Sequence, residues 1–289
     1  MKISKKFAAI GLAATLVLGI TACGGQNTDA PSTSGPLSSA PATKGTVDKE
    51  LSGKLVIEGS TSVAKIFQEL IDTYMAKNPK VKIEYIGDGS SAGIKAAIAD
   101  TANIGTASRA VKDEEKNQGL EVFQMADDAI AIIVNPANKV QDLTKEQIAK
   151  IYKKEITNWQ DAGGDDAPIV VVARDAASGT REAFFEVADQ VKADQEAAKT
   201  GEVKTVVAQN PNAIGYISLA YSDNTVKNVT VEGLIATIEN VKNGIYTIKR
   251  PFNMVTKGKP DELEQAFIDF VFSEEGAEII AKEAVPVKK

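Results

Sequence analysis

Gly59-Ser60-Thr61-Ser62 follows the strand-like run Lys54-Leu55-Val56-Ile57 and precedes a stretch whose apolar residues recur at helical spacing. Gly89-Ser90-Ser91-Ala92-Gly93 and Ser178-Gly179-Thr180-Arg181 have the same character, and both follow runs rich in Val and Ile. Each loop is therefore predicted to connect a strand to a helix. A helix start exposes unpaired N–H groups and a partial positive charge, and small hydroxyl side chains add further donors. Three such starts predict that several helix ends hold one oxyanion together.

The arginines are few, and three of them lie beside loops of this kind. Of 33 basic residues only Arg109, Arg174, Arg181 and Arg250 are arginine. Arg174 and Arg181 flank the third loop, and Arg109 closes the strand–turn Ile104-Gly105-Thr106-Ala107-Ser108. Because the planar guanidinium grips an oxyanion through two donors, which lysine cannot do, these three arginines are candidate anion clamps. The alternative is that they pair with nearby surface carboxylates.

The N-terminus has the pattern of a bacterial lipoprotein signal. Three lysines lie among the first six residues, and the apolar stretch 7–20 is too short to span a membrane. It leads into Thr21-Ala22-Cys23-Gly24, where small residues precede the one cysteine of the chain. The pattern predicts that residues 1–22 are a signal peptide and that lipidated Cys23 anchors the protein in the lipid bilayer, at the outer face of the cytoplasmic membrane. The alternative is an ordinary secreted protein whose cysteine is incidental.

Residues 23–50 are rich in Ser, Thr, Pro, Ala and Gly, and this composition predicts a flexible tether. The remaining roughly 240 residues are enough for two small lobes or one large domain. Loss of the three signal lysines leaves 30 basic against 39 acidic residues, a net charge near −9. This balance argues against nucleic acid as a partner, because no basic stripe is present to release counterions. It does not exclude a small anion bound by aligned donors.

Strand-like and helical runs alternate along the folded part, which predicts an α/β architecture with mainly parallel sheets. The predicted strands are Lys54–Ile57, Lys82–Ile86, Ile104–Thr106, Ala129–Val134, Ile169–Val172, Lys204–Val207, Ile214–Ile217, Asn228–Val231 and Tyr246–Phe252. The predicted helices are Ser62–Lys77, Ser91–Ala99, Lys145–Lys153, Thr180–Ala198, Leu234–Asn243, Glu262–Phe272 and Ser273–Ala281. Ligands of open α/β sheets bind at the carboxyl ends of strands, where the three loops lie. If early and middle segments form separate lobes, the site lies in the cleft between them.

The chain lacks the residues that several kinds of catalysis require. The chain has no histidine, which removes Ser–His–Asp catalysis and histidine-bound zinc. No Gly-x-x-x-x-Gly-Lys-Ser/Thr loop occurs, so nucleotide hydrolysis is unsupported. A phosphatase using Ser62 or Ser178 would lack a base to activate the serine. We therefore expect a binding protein, not an enzyme, with neither cofactor nor metal.

Taken together, the motifs resemble those of the phosphate-binding lipoproteins that deliver phosphate to ABC importers, which have the type II periplasmic-binding-protein fold. The matching stretches are Gly59-Ser60-Thr61-Ser62, Gly89-Ser90-Ser91-Ala92-Gly93-Ile94, Ile104-Gly105-Thr106-Ala107-Ser108-Arg109, Arg174-Asp175-Ala176-Ala177-Ser178-Gly179-Thr180-Arg181 and Ala213-Ile214-Gly215-Tyr216. The resemblance covers the chain from about Ser52 to its end. It implies a two-lobed α/β fold with the ligand cleft between the lobes.

The resemblance also implies roles for individual residues. Backbone N–H and hydroxyl groups of the three loops would contact the phosphate, and Arg174 would form the charged clamp. The candidate phosphate ligands are Thr61, Ser62, Ser90, Asp128, Arg174, Ser178, Gly179 and Thr180, with Ser60, Ser91, Arg109 and Arg181 as further candidates.

The chain departs from the family pattern at one position. Well-known members carry an aspartate after the Ala-Ser of the third matching stretch, where it accepts a proton from the bound phosphate, and here that position is Arg109. Another carboxylate would then accept the proton. Asp127 and Asp128 lie just before the strand Ala129–Val134, which looks like the crossover between lobes. Asp128 is favoured, with Asp127 and Asp88 as alternatives.

These inferences predict a monomeric extracytoplasmic receptor for inorganic phosphate whose further partners are the permease subunits of an ABC importer. Lobe one is expected to comprise residues 51–132 and 250–289, and lobe two residues 133–249. The alternatives are a receptor for sulfate or molybdate and a phosphate sensor or adhesin without a transport role. A carboxylate facing the anion would disfavour sulfate, which carries no proton at neutral pH.

Overall fold

The computed structural model describes residues 51–288, and the predicted signal peptide, Cys23 and the tether lie outside them. A mixed sheet of ten strands runs through this part of the chain, in the order β2-β1-β3-β11-β4-β8-β6-β7, with β9 and β12 also paired to β4; β5 and β10 form a separate pair. The strands are β1 (Gly53–Gly59), β2 (Val81–Gly87), β3 (Ile104–Ala107), β4 (Leu120–Val134), β5 (Asp142–Leu143), β6 (Val170–Arg174), β7 (Gln195–Ala197), β8 (Ala213–Ser218), β9 (Lys227–Asn228), β10 (Thr230–Val231), β11 (Lys249–Lys257) and β12 (Val285–Pro286).

Helices cover the sheet, and their buried faces follow the helical repeat. In the first helix the buried residues include Ile66, Leu70 and Tyr74, which recur every four residues on one face. The helices are α1 (Ala64–Lys77), α2 (Ser90–Ile98), α3 (Asp113–Lys116), α4 (Lys145–Tyr152), α5 (Gly179–Phe184), α6 (Thr200–Gln209), α7 (Ile238–Lys242), α8 (Glu262–Val271) and α9 (Glu274–Ala281), with two short 3₁₀ turns at Trp159–Ala162 and Leu219–Tyr221. No helix of residues 51–288 combines the length and apolarity that a membrane crossing needs.

The sheet is parallel at its two ends and antiparallel in the middle. β1 pairs in parallel with β2 and β3, and β6 pairs in parallel with β7 and β8. Between these groups β11 and β4 run antiparallel to each other and to their outer neighbours. The prediction of mainly parallel sheets was therefore wrong for the centre, since β4 and β11 pass between the two halves in opposite directions.

The two halves of the sheet carry separate cores. The first core takes its buried residues from 55–126 and from 252–284, including Phe67, Phe252 and Phe267. The second takes its buried residues from 129–248, including Trp159 and Tyr216. A smaller third cluster, with Ala107 and Val255 among its members, packs between α2, β3 and β11. All of these residues belong to one compact unit of the chain.

Most predicted elements occur, with shifted ends. One predicted strand is a helix, since Lys204–Val207 belongs to α6. β-branched residues favoured a strand there, but Val203 and Val207, four residues apart, both face β8 at Gly215. Packing of this pair against a glycine surface outweighs the local preference for a strand.

Two predicted helices were too long. The helix predicted to run from Thr180 to Ala198 ends at Phe184, because the chain beyond it returns to the sheet and the Asp194 N–H donates to the Val171 carbonyl at 2.9 Å. The helix predicted from Leu234 begins only at Ile238, where the Thr237 side chain caps it. Conversely, the predicted strand Ala129–Val134 is the second half of the 15-residue strand β4.

Candidate oxyanion-binding site

The first loop leaves β1 at a glycine that no other residue could replace without strain. Gly59 has a φ of 140°, and a Cβ there would lie 2.2 Å from the Thr106 carbonyl oxygen. The Ser60 N–H donates to that carbonyl at 3.1 Å and to the Thr106 hydroxyl at 3.0 Å. The Ser62 N–H in turn donates to the Ser60 hydroxyl at 3.2 Å. These bonds fix the loop so that Thr61 and Ser62, both buried, lie directly before α1.

The second loop starts α2 and touches the third. Gly89, with a φ of 114°, precedes the helix, and the Ser91 N–H donates to the Ala177 carbonyl at 3.2 Å. The Ser90 hydroxyl accepts from the Ser108 N–H at 3.0 Å. Ser90 is therefore buried between the end of β3 and the loop that follows β6.

The third loop begins α5 with a side-chain cap. The Ser178 hydroxyl accepts from the Arg181 N–H at 3.2 Å. Gly179 and Thr180 are the first two helical residues, so their N–H groups have no intrahelical partner. A Cβ on Gly179 would lie 2.3 Å from the Ser90 hydroxyl oxygen, and glycine is what lets the second and third helix starts approach this closely.

A cluster of hydroxyl groups joins the first loop to the third. The Ser62 Oγ lies 2.8 Å from the Thr180 Oγ1 and 3.0 Å from the Thr200 Oγ1. The Thr61 Oγ1 lies 3.1 Å from the Thr200 Oγ1 and accepts from the Thr200 N–H at 3.3 Å. All four side chains are buried, so residues from distant parts of the sequence converge here.

Arg174 brings a positive charge into this cluster. Its Nη1 donates to the Thr200 hydroxyl at 2.9 Å, while Nε and Nη2 donate to the carbonyls of Ala197 and Ala198 at 3.3 and 2.8 Å. The side chain is buried, and burial lowers the pKa of Arg174 to about 10. The guanidinium thus remains charged at neutral pH in a desolvated position, where a charge acts most strongly on a bound anion.

Thr200 is a member of the cluster that the sequence prediction missed. It is the first residue of α6 and follows β7 by three positions. The missed signal was Lys199-Thr200-Gly201, in which a small hydroxyl residue stands before a glycine at a helix start. The helix predicted from Thr180 ended at Ala198, directly before this signal.

Asp128 lies in β4 and is paired with an arginine. The Arg250 Nε and Nη2 donate to the Asp128 Oδ2 at 3.1 and 2.9 Å, and the Ser218 hydroxyl donates to Oδ1 at 3.0 Å. Burial raises the pKa of Asp128 to about 6, and Arg250 and Ser218 lower it only in part. The pair keeps a carboxylate and a guanidinium together in the interior, where their opposite charges offset each other, while the buried Arg250 Nη1 has no hydrogen-bond partner among residues 51–288.

Arg250 received no role from the sequence, although the scarcity of arginine could have drawn attention to it. Both its side chain and that of Asp128 are almost fully buried. Burial lowers the pKa of Arg250, which Asp128 counteracts. The positive charge of Arg250 in turn contributes to the lowered pKa of Arg174, so the two guanidinium groups influence each other electrostatically.

Other candidate residues have partners away from the hydroxyl cluster. Arg109 forms ion pairs with Glu115 and Glu182. Arg181 donates to the Arg174 carbonyl at 2.7 Å and to Glu196 at 2.6 Å. Among the alternative carboxylates, Asp127 pairs with Lys249 at 3.1 Å, and Asp88 lies beside Glu58, whose pKa is raised by burial and by the Asp88 charge.

A cleft of about 460 Å³ opens beside the hydroxyl cluster. It is lined by Thr61, Thr200, Tyr85 and Tyr221 among others. Both tyrosine hydroxyls are held by the first loop: Tyr85 donates to the Ser60 carbonyl at 2.6 Å and Tyr221 to the Thr61 carbonyl at 2.8 Å. The cleft therefore borders two of the four hydroxyl residues of the cluster, Thr61 and Thr200.

Chemically, the arrangement brings hydrogen-bond donors and a positive charge together in the interior. Unpaired N–H groups of a helix start, four hydroxyls and one guanidinium suit an oxyanion. The Ser62 hydroxyl contacts only other hydroxyls and the Ser178 hydroxyl caps its own helix, so neither has the base that a nucleophile needs. Within residues 51–288 no three His, Cys, Asp or Glu side chains are grouped to hold a metal ion.

Comparisons with known proteins identify relatives of this chain. The model of the PBP superfamily domain matches residues 38–275. Phosphate-binding protein PstS of Borreliella burgdorferi is 33% identical over 78% of this chain and 87% of its own, and PstS of Bacillus subtilis is 30% identical over 79% of this chain and 78% of its own.

Solved structures of phosphate-transport proteins are also similar to this chain. The structure of a phosphate ABC transporter substrate-binding protein from Clostridium perfringens, with bound phosphate, is 45% identical. It has a TM-score of 0.79, covering 82% of this chain and all of the other. An ABC-type phosphate transport receptor from Vibrio cholerae is 34% identical with a TM-score of 0.69, covering 81% of this chain and all of the other.

Proposed function

We propose that this chain, which belongs to the PBP superfamily and within it to the family of PstS phosphate-binding proteins, binds inorganic phosphate outside the cytoplasm and delivers it to an ABC importer. The observation that carries the proposal is the convergence of Ser62, Thr180 and Thr200 hydroxyls around Arg174. Its relatives are named as phosphate-binding proteins, an ABC transporter substrate-binding protein and a phosphate transport receptor, and in this role the chain binds its ligand without transforming it.

The phosphate ligands in this proposal come from both halves of the sheet. Thr61 and Ser62 precede α1, Ser90 begins α2, and Ser178, Gly179 and Thr180 form the start of α5. Arg174 supplies the charged clamp, and Thr200 adds a hydroxyl. Bound together, these groups replace the water shell of the anion with fixed donors, which is what a tight oxyanion site requires.

Asp128 is the proposed acceptor of a proton from the bound phosphate. Arg250 keeps the carboxylate oriented, and the Ser218 hydroxyl, which can rotate, bonds to the oxygen Oδ1. A carboxylate is compatible with an anion only if the anion offers an O–H group, and phosphate does so at neutral pH while sulfate does not. Asp128 would thus select phosphate over sulfate.

Two lobes are proposed to close on the phosphate by a hinge motion. Residues 51–132 and 250–289 form lobe one, and residues 133–249 form lobe two. The two separate cores support this division, because they draw on 55–126 with 252–284 and on 129–248. β4 and β11 run from one core to the other and are the natural position of the hinge.

The proposed site of action is the outer face of the cytoplasmic membrane, with Cys23 lipidated. The supporting pattern is the short apolar stretch that ends at Thr21-Ala22-Cys23. Intact-mass analysis of the membrane-bound protein should show cleavage before Cys23 and an acyl mass on it, and Cys23→Ala should release the protein or leave it unprocessed. A cleaved wild-type chain without added mass would contradict lipidation.

Calorimetric titration tests the ligand. The protein should bind phosphate, bind arsenate as an isosteric analogue, and reject sulfate and molybdate. Tighter binding of sulfate than of phosphate would make the protein a receptor for another tetrahedral oxyanion. Failure to bind any of these anions would overturn the proposal.

A further inference from the structure

Four charged side chains connect the segment after β3 to α5. The Arg109 Nε lies 2.7 Å from the Glu182 Oε2, and the Lys112 Nζ lies 2.7 Å from the Glu182 Oε1. Arg109 also donates from Nη1 and Nη2 to both oxygens of Glu115, at 2.8 and 2.7 Å. We call the pairs of Glu182 with Arg109 and Lys112 the Glu182 bridge.

The bridge is built around a buried arginine. Only 4% of the Arg109 side chain is exposed, against 32% for Glu182 and 47% for Lys112. Burial by itself lowers the pKa of Arg109, but Glu115 and Glu182 outweigh it and the pKa is raised. Because two cations face two carboxylates, the group is neutral as a whole, and removal of one carboxylate leaves a positive charge that is poorly hydrated.

The backbone holds Arg109 in place independently of Glu182. Asn253 of β11 donates from its side-chain amide to the Arg109 carbonyl at 2.8 Å, and the Arg109 Nη1 donates to the Ala110 carbonyl at 2.8 Å. With Glu115 paired bidentately on the same side, Arg109 stays oriented whether or not Glu182 is near. Glu182 is therefore the partner that arrives from the other side.

The two sides of the bridge belong to different cores. Ala107 and Val111, on either side of Arg109, pack in the third cluster beside the first core. Phe184, two residues after Glu182, packs in the second core. Glu182 also lies in the first turn of α5, the helix whose start carries Ser178, Gly179 and Thr180. A contact at Glu182 thus bears directly on the position of these phosphate donors.

We infer that the Glu182 bridge is a positioning contact that holds the closed form and slows the release of phosphate. The inference rests on the proposed function. When the lobes separate, the pairs to Glu182 break while the pair of Arg109 with Glu115 persists, so the bridge stabilises the closed form alone. A contact present only in the closed form raises the population competent to hold the ligand. The bridge also assigns a role to Arg109, which stands at the position where the family pattern has an aspartate.

Glu182→Gln tests the bridge with little change of shape. Phosphate dissociation, followed by stopped flow on the full chain, should become about five- to tenfold faster, as expected for loss of a partly buried ion pair. Added sodium chloride should accelerate release from the wild type more than from the variant, because screening weakens an ion pair that the variant no longer has. A side chain with only a structural role would not change this difference in salt dependence.

Matched variants separate the possible outcomes. Glu186→Gln makes the same change of charge one turn later on an exposed side chain and should release phosphate at the wild-type rate. Lys112→Gln removes one arm of the bridge at a half-exposed position, and it serves as the second test if Glu182→Gln fails to fold. If the wild type binds phosphate and both bridge variants release it at the wild-type rate, the proposed role of the bridge is overturned. Failure of the wild type to bind phosphate would instead overturn the proposed function.

Discussion

The Ser62 Oγ lies 2.8 Å from the Thr180 Oγ1, although 118 residues separate them in the chain. One residue precedes α1 and the other belongs to the first turn of α5. Hydroxyl groups this close and buried can share a third partner that accepts from both. The contact shows that the starts of two helices from different halves of the sheet lie next to each other.

Arg174 should dominate the affinity for phosphate. Arg174→Ala removes the one guanidinium that donates into the hydroxyl cluster. Loss of a charge-assisted contact in a desolvated site should cost about 2–5 kcal/mol, a fall of roughly 30-fold to several thousand-fold in affinity. Calorimetric titration checks the change, with Lys204→Gln, a surface cation paired with Asp223, as the control. Near wild-type affinity in a folded Arg174→Ala protein would contradict the assignment.

Thr200→Val should weaken phosphate binding while keeping the side-chain shape. The substitution removes the hydroxyl that contacts Thr61, Ser62 and Arg174. A lost hydrogen bond of this kind is worth about 1–2 kcal/mol, so affinity should fall about 5- to 30-fold. Thr205→Val on the same helix removes an exposed hydroxyl that bonds only the Gly201 carbonyl, and it should leave affinity unchanged. Equal effects of the two variants would mean that Thr200 acts through helix stability.

Gly179→Ala should damage the site by crowding. A Cβ there would lie 2.3 Å from the Ser90 hydroxyl oxygen and 3.1 Å from that of Ser108, so the second and third helix starts must move apart. Overpacking of this kind costs about 1–3 kcal/mol and should appear in both thermal stability and phosphate affinity. In the control Gly201→Ala the nearest atom would be 3.9 Å from the new Cβ, and little should change. Unaltered affinity in Gly179→Ala would show that this close approach is not needed for binding.

Asp128→Asn should loosen the discrimination against sulfate. The change removes the negative charge and converts one acceptor oxygen into a donor, so phosphate should bind more weakly by about 1.5–3 kcal/mol while sulfate is rejected less. Competition titrations with the two anions measure both effects. If sulfate stays excluded and phosphate affinity is unchanged, Asp128 serves only to pair Arg250, and Asp127 and Asp88 become the carboxylates to test.

The stability of the protein should carry a signature of Asp128 in its pH dependence. Burial raises the pKa of Asp128 from an ordinary 3.8 to about 6, so the folded chain holds this proton more tightly than the unfolded chain. Stability contributed by that proton is complete below pH 4 and is lost as pH rises through 6, by about 2–3 kcal/mol. Chemical denaturation of wild type and Asp128→Asn from pH 4 to 7 should show the wild type losing stability relative to the variant. A constant difference would contradict the raised pKa.

Much of the site could be predicted because its elements are local. A strand of Val and Ile, a glycine and a run of small hydroxyl residues before a helix are readable in the sequence, and so Thr61, Ser62, Ser90 and Thr180 were all identified as candidates. That they meet depends on the sheet order, which no local pattern gives. The structure brings Thr61, Ser62 and Thr180 to one cluster with Arg174.

The residues and pairings that the sequence prediction missed also depend on tertiary contacts, which no local pattern gives. Thr200 was missed because the helix after Thr180 was extended past its true end at Phe184, where tertiary hydrogen bonds draw the chain back to the sheet. Arg250 is notable because it pairs with Asp128, from which 122 residues separate it in the sequence. The two residues are adjacent in space only because β11 and β4 pair in this register. Mainly parallel pairing was expected because a strand–helix alternation does not reveal a strand that returns from the C-terminal segment.

The place of β11 between β3 and β4 also determines the order in which the chain can fold. Residues 249–257 separate two strands that are complete by residue 134, so a growing chain shows two unpaired strand edges until residues 249–257 are available. α8 and α9, which follow, add Phe267, Ile268 and Ile280 to the first core. The N-terminal half therefore cannot finish first. Contacts between the two ends of the chain make folding slow and leave a nascent or truncated chain prone to pair its exposed edges with another copy.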